Sequence, residues 1–220
     1  MSRWREARQA VLEAARNMLE KGLVVGSSGN VSMRLPPDGE RPLLAITPSS
    51  RPYDELGVDD IQVVDFEAKT VEGDLAPSIE TMLHAGIYEA RPDVNAVIHT
   101  HSVFASAVAV AGLDIPPILD DQVVFLGGQI NLARNAFTGS PGQIAAVIAA
   151  LGDRSGVLLP NHGAVGTGRN IRFAFTACEM IEKTARIYLL ARAAGSVNVL
   201  PAETLEAEKA LYDSYQRQDT

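Results

Sequence analysis

The sequence predicts a single α/β or α+β layer domain, a sheet flanked by helices. Three observations carry that prediction. Short apolar runs of strand type alternate in uneven order with longer amphipathic runs of helical period, the pattern of a sheet covered by helices. The length, 220 residues, suits one large domain with room for a substantial core. The composition, 46% hydrophobic and 21% charged, is that of a globular rather than a disordered chain. One domain is expected over residues 1–220, with 200–220 as a C-terminal tail.

Residues 3–21 read as an amphipathic helix, with Trp4, Val11, Ala15, Met18 and Leu19 on one side and Gly22 as its stop. Strand-like runs follow at Val31–Leu35, Leu43–Ile46 and Ile61–Asp65, between loops rich in Gly, Pro and Ser. Glu67–Asp74 reads as a polar hairpin turn. A helix then starts after Pro77-Ser78, with Ser78 as its N-cap, and stops before Pro92, because a proline pushes the residue before it out of the helical region. Asn95–Thr100 has the apolar character of a buried strand, and Ser102–Ala111 that of a small-residue helix. Gly156–Leu159 is another short apolar strand, and Asn170–Ala194 a long helix with Phe173, Ala177, Ile181, Ala185 and Tyr188 at helical spacing. No repeat or low-complexity tract interrupts this order, and the order of strands within the sheet is not encoded in it.

Charge and cysteine usage exclude several functions. With 19 basic against 27 acidic residues the net charge is −8, the opposite of the concentrated basic face that phosphate neutralisation on nucleic acid requires. Cys178 is the only cysteine, so no internal disulfide forms, which fits a reducing compartment. The longest apolar run, Val103–Leu113, has 11 residues and contains Ser106, short of the ~18–20 that span a bilayer. The N-terminus Met-Ser-Arg-Trp-Arg-Glu has no signal-peptide apolar stretch. A soluble, cytoplasmic protein with a small-molecule partner is expected, without nucleic-acid or membrane partners.

Three of the four histidines stand where chemistry collects. His99 and His101 lie two apart at the end of a strand, so the two-residue period sends both imidazoles to one side. His162 follows another strand, in Pro160-Asn161-His162-Gly163, where the glycine permits a tight turn. Three neutral imidazoles with an open position form a catalytic zinc arrangement; strand-end histidines bonded to carbonyls are the structural alternative. Glu80 opens the helix after Ser78, where the helix dipole favours a negative charge. His84, one turn on from Glu80, reads as a partly buried, hydrogen-bonded helix histidine rather than a ligand. Three small-residue loops, Gly26-Ser27-Ser28-Gly29-Asn30, Thr47-Pro48-Ser49-Ser50 and Pro77-Ser78, offer hydroxyls and backbone N–H groups of the kind that bind phosphate or carboxylate. No Walker A sequence and no Gly-x-Gly-x-x-Gly after a strand supports a nucleotide site.

Taken together, Gly29-Asn30-Val31-Ser32, Ile46-Thr47-Pro48-Ser49, Pro77-Ser78-Ile79-Glu80, His99-Thr100-His101-Ser102 and Asn161-His162-Gly163 resemble the class II aldolase/adducin family, in the family's order and over about residues 5–195. The resemblance implies a three-layer α/β/α sandwich with a central, mostly antiparallel sheet, and a homotetramer with active sites between subunits. It implies His99, His101, His162 and Glu80 as ligands of a zinc ion, with manganese or another divalent ion as the alternative. Glu80 would also move protons, and Gly29, Asn30, Ser49, Ser50 and Ser78 would line a phosphate pocket. Cleaving a carbon–carbon bond beside a carbonyl leaves an enediolate, whose oxyanion a divalent ion stabilises as a Lewis acid.

Three departures qualify the resemblance. Ile79 replaces a serine of the aldolases' Ser-Ser-Glu, and Ser50 followed by Arg51 replaces a glycine. The tyrosine that a neighbouring subunit supplies as acid has no match in Ile115–Asp121; ungapped counting puts Asp120 there, with Asp121 beside it and Tyr212 or Tyr215 of the tail as other sources. The same count puts Val124 where the family's 4-epimerases carry a catalytic aspartate, which argues against epimerisation. The expected activity is retro-aldol cleavage of a hydroxy-ketone or sugar phosphate, ahead of decarboxylation of a hydroxylated acid and of a non-catalytic adducin-like module.

Overall fold

Alternating side chains sort each strand's residues onto two faces, and helices cover both. The computed structural model describes residues 3–217. Among these the strands are β1 (Asn30–Asp38), β2 (Arg41–Ile46), β3 (Gln62–Asp65), β4 (Thr70–Glu72), β5 (Ala96–Thr100), β6 (Asn131–Leu132), β7 (Gly156–Leu159) and β8 (Gly163–Gly168). They form one eight-stranded sheet in the order β4-β3-β2-β1-β5-β8-β7-β6, antiparallel throughout except for the parallel pair β6–β7. The helices are α1 (Arg5–Glu20), α2 (Thr81–Ala90), α3 (Val103–Val110), α4 (Asp120–Leu126), α5 (Pro141–Leu151), α6 (Ile171–Ala193) and α7 (Ala202–Arg217).

On one face of the sheet Val31, Leu43, Ala45, Ala96 and Ile98 pack against Val11, Ala15 and Met18 of α1 and Ala174 and Cys178 of α6. The same face continues through Leu158 and Ala164 onto α3, α4 and the rest of α6, where Val108, Leu126 and Ile181 are buried. On the opposite face Leu44, Ile46, Val97, Val157, Leu159 and Val165 lie beneath Leu83 and Ile87 of α2 and Val147 and Leu151 of α5. Neighbours along β5 therefore go to opposite layers, Val97 to the α2/α5 side and Ile98 to the α1/α6 side, as the two-residue period requires. The result is the three-layer α/β/α sandwich with a mostly antiparallel sheet. No helix among the described residues is long and apolar enough to cross a membrane.

Several boundaries differ from the sequence reading. α2 begins at Thr81, not after Ser78; Ser78 instead heads a preceding turn, its Oγ accepting the Glu80 N–H at 3.2 Å and its carbonyl the Thr81 N–H at 3.1 Å. Part of the expected hairpin turn at 67–74 is β4, paired with β3; the turn itself is tied by Asp65 Oδ1, which accepts from the N–H groups of Glu67 and Lys69. The elements α4, α5, β6, β8 and α7 had no counterpart in the sequence reading. β8 is hidden by its glycines, which read as loop, though two of them, Gly166 and Gly168, are dictated by α6. A Cβ at Gly166 would stand 2.6 Å from Cys178 Sγ and 2.9 Å from the Ala174 carbonyl. The expected tail is mostly α7, packed on α4.

Candidate metal centre and anion pocket

β5 lies at the middle of the sheet between β1 and β8, and its register places His99 beside Asn30 and Val165. His101 leaves the strand end on the same side, its N–H held by the Leu23 carbonyl at 3.1 Å. His162 comes from the β7–β8 turn, entered through Asn161 at φ +54°, a left-handed conformation that asparagine tolerates better than most residues. Gly163 must be glycine there, because a Cβ would run into the Thr100 carbonyl.

The three imidazoles form a near-threefold cluster, with ring centroids 4.6 to 4.7 Å apart and each pair of planes at 68°. His99 Nε2 lies 2.9 Å from His101 Nε2 and 3.3 Å from His162 Nε2. His99 Nδ1 lies 2.9 Å from the Ala164 carbonyl, which can only accept; Nδ1 therefore carries the hydrogen and Nε2 presents its lone pair. Burial, reinforced by the neighbouring rings, pushes the His101 pKa down to about 4 and lowers that of His162. Lone pairs crowded this closely repel unless a cation lies among them. Donors ~2.1 Å from a common centre at tetrahedral angles stand roughly 3.4 Å apart, close to the spacings seen. The residues fit a divalent ion.

Glu80 stands beside the three imidazoles. Its Oε2 accepts from Asn30 Nδ2 at 2.7 Å and lies 3.3 Å from His99 Nε2, and the residue is 5% exposed. Burial raises its pKa, but His99, His162, the Asn30 bond and His84 together hold it below the ordinary carboxylate value. An ionised carboxylate thus sits beside His101 and His162, whose lowered pKa values favour the neutral rings that ligation requires.

All five residues expected to bind an anion, Gly29, Asn30, Ser49, Ser50 and Ser78, line one cavity of about 180 Å3 together with Glu80, His101 and His162. Gly29 is at φ +70°, and a Cβ there would meet the His99 carbonyl at 2.5 Å, so only glycine lets this loop approach the strand. Ser50 is also left-handed, at φ +56°, with its Oγ 3.3 Å from that of Ser49. Asn30 spends its amide on Glu80, and Ser78 holds the Glu80 backbone, so both position the carboxylate as well as lining the pocket. Ile79 lines the cavity and is exposed, whereas Arg51 is exposed outside it. Thr138 lines both this cavity and an adjoining one of about 570 Å3 that shares His162; its loop carries no motif that sequence reasoning could find.

The other candidates lie elsewhere. His84 is fully buried rather than partly so, with Nδ1 2.6 Å from Ser32 Oγ, and burial pushes its pKa down to about 3. It is hydrogen-bonded and stands outside the triad. Asp120 opens α4, exposed, and does not line the cavity of its own chain, while Asp121 pairs with Lys183. Val124 is half-buried on the same helix. Tyr212 is buried, its hydroxyl 2.9 Å from Ser155 Oγ and donating to the Asp153 carbonyl at 2.9 Å, so it anchors α7 rather than offering a free phenol. Tyr215 is 44% exposed.

Comparison with known proteins agrees with this geometry. Residues 9–189 match the family described as Class II Aldolase and Adducin N-terminal domain. A 5-deoxy-D-ribulose 1-phosphate aldolase from Bacillus thuringiensis serovar kurstaki is 31% identical over 211 residues, covering 96% of this chain and 97% of the relative. An L-ribulose-5-phosphate 4-epimerase, UlaF, from Salmonella typhi is 32% identical over 198 residues, covering 84% and 85%. Among solved structures, an L-fuculose 1-phosphate aldolase superposes with a TM-score of 0.88 at 31% identity, covering 97% of this chain and 98% of the other. On sequence, fold and site together, the chain belongs to the class II aldolase and adducin family.

Proposed function

We propose that the chain is a metal-dependent carbon–carbon lyase that cleaves a phosphorylated hydroxy-ketone by retro-aldol chemistry. The observation that carries this reading is the meeting, in one cavity, of two of the converging imidazoles, an ionised and buried glutamate, and a rim of serine hydroxyls. Two of the relatives compared above are named as aldolases of ketose 1-phosphates.

In a ketose 1-phosphate the carbonyl is C2 and the bond to be broken joins C3 to C4. Ser49, Ser50, Ser78 and the Gly29 loop hold the phosphate through hydroxyls and backbone N–H groups. Glu80 takes the proton of the C4 hydroxyl. The C3–C4 electron pair then moves toward the carbonyl, and C4 leaves as an aldehyde. Returning the proton to C3 completes dihydroxyacetone phosphate, so the glutamate ends as it began. A divalent ion held by His99, His101 and His162, with Glu80 as its ligand at rest, would supply Lewis acidity toward the charge that collects on the substrate oxygens. Zinc suits the nitrogen-rich set, and the carboxylate keeps manganese as the alternative. Asp120 of an adjacent subunit is proposed to assist this proton transfer, within a cytoplasmic homotetramer whose sites lie between subunits.

Ile79 on the cavity wall removes one hydroxyl from the anion pocket and favours a second reading, decarboxylation of a hydroxylated acid. One experiment separates the two. Metal-loaded protein is offered ketose 1-phosphates and hydroxy acids, and products are followed. Dihydroxyacetone phosphate with an aldehyde is expected; carbon dioxide in their place establishes the second reading, and neither product overturns both.

A further inference from the structure

The larger cavity beside the three histidines, of about 570 Å3, takes no part in the chemistry assigned above. Its size is that of a small-molecule site, and Thr138 and His162 are common to it and the anion pocket. Val147 and Leu159, both fully buried, give it an apolar wall. The polar part of its lining runs against the charge of the chain. Acidic residues outnumber basic ones 27 to 19 overall, yet no Asp or Glu borders the cavity, and Arg134 does. Among the described residues the Arg134 guanidinium has no ion-pair or hydrogen-bond partner, and neither have the side chains of Asn135, Thr138 and Asn161.

Gln143 adds a donor whose identity its own contacts fix. It is the third residue of α5 and only 7% exposed. Its backbone N–H donates to the Ser140 hydroxyl at 3.2 Å, and its Oε1 accepts the Gly139 N–H at 2.6 Å. A backbone N–H can only donate, so the amide atom facing Gly139 is the oxygen and the other is the NH2 group. That NH2 group has no partner among the described residues, and its side chain lines the cavity. A buried amide left without an acceptor costs free energy, which a bound acceptor recovers. Guanidinium and amide donors bordering one space without a carboxylate suit a ligand group rich in oxygens. An anion suits them best, because a guanidinium grips carboxylate or phosphate with two parallel bonds.

We propose that this cavity receives the half of the substrate that leaves as the aldehyde, and that Arg134 and Gln143 select a half ending in an anionic group, a carboxylate or a second phosphate. The inference rests on the lyase reading. With the first phosphate in the smaller cavity and the scissile bond at the histidines, the carbons beyond C4 pass His162 and Thr138 into the larger space.

The test runs the reaction backwards on the metal-loaded full chain. Dihydroxyacetone phosphate is condensed with three aldehydes of one skeleton: neutral glyceraldehyde, tartronate semialdehyde with its terminal carboxylate, and glyceraldehyde 3-phosphate. At least one charged aldehyde should exceed glyceraldehyde ~10-fold in kcat/KM, through a lower KM, as hydrogen bonds to a charged group allow; the better of the two names the anion. Arg134→Ala and Gln143→Glu should each reduce that preference ~10-fold, the latter keeping an oxygen for Gly139 while losing the donors. Equal kcat/KM for all three aldehydes, or a preference that Arg134→Ala leaves intact, overturns the proposal. Arg134 is exposed, so its variant decides even if Gln143→Glu fails to fold. Calorimetric titration with glycerate, which needs no turnover, should show ~10-fold weaker binding in Arg134→Ala, and unchanged binding also overturns the proposal. Failure of all three aldehydes to condense defeats the lyase reading, while the glycerate comparison still decides whether the cavity takes an anion.

Discussion

At the scale of single residues, the site depends on three histidines that share a lone-pair focus and one carboxylate beside it. Glu80→Gln keeps the shape and the Asn30 neighbour but removes the proposed base, and should lower turnover ~10²–10⁴-fold with metal still bound, as elemental analysis beside steady-state kinetics would show. The His99→Ala/His101→Ala double variant removes two of three nitrogens and should lose the metal; stoichiometric metal retained by it would sink the ligand assignment. These residues were legible because strand-end position and two-residue spacing are local properties of sequence. The role of Asn30 was not. Its bond to Glu80 spans two distant stretches of chain, and only the sheet register brings them together. His84 shows the same limit, since its full burial follows from β1 lying beneath α2, which no local pattern encodes.

At the scale of elements, periodic apolar runs such as β5 and α6 were readable and glycine-rich β8 was not, because tertiary proximity rather than strand propensity selects its residues. Gly166→Ala should push α6 off the sheet and cost ~1–3 kcal/mol, the range for overpacking a core, measured as a lowered urea midpoint at unchanged slope. The β3–β4 turn adds a pH dependence. Burial raises the Asp65 pKa, but the Lys69 and Glu67 N–H groups and Arg41 outweigh it, so the folded value lies below the ordinary 3.8. A depressed carboxylate pKa contributes stability that is present above the unfolded value and disappears as pH falls through the folded one. Asp65→Asn should therefore lose stability at pH 7, and the gap from the parent chain should close below pH 3.8 in parallel denaturation curves.

At the scale of the whole molecule, apolar side chains stand out near the cavity. Ile79 on its wall is 79% exposed, Phe137 beside Thr138 is 86% exposed, and Val25 before the Ser27-Ser28 loop is 83% exposed. Apolar groups left in water around a polar site suit coverage by another copy. Light scattering at micromolar concentration should give four chain masses, and a monomeric mass would count decisively against the proposed tetramer. The ends of the sheet restrict how such copies can meet. One border is β4, three residues long, and the other is β6, two residues long. Borders so short present almost no row of free backbone groups to serve as a template for strand addition, the usual route by which β proteins polymerise. The sheet is closed to growth at both margins, so copies must recognise one another through the side chains of helices and loops, which have no repeating backbone pattern along which to slip in register.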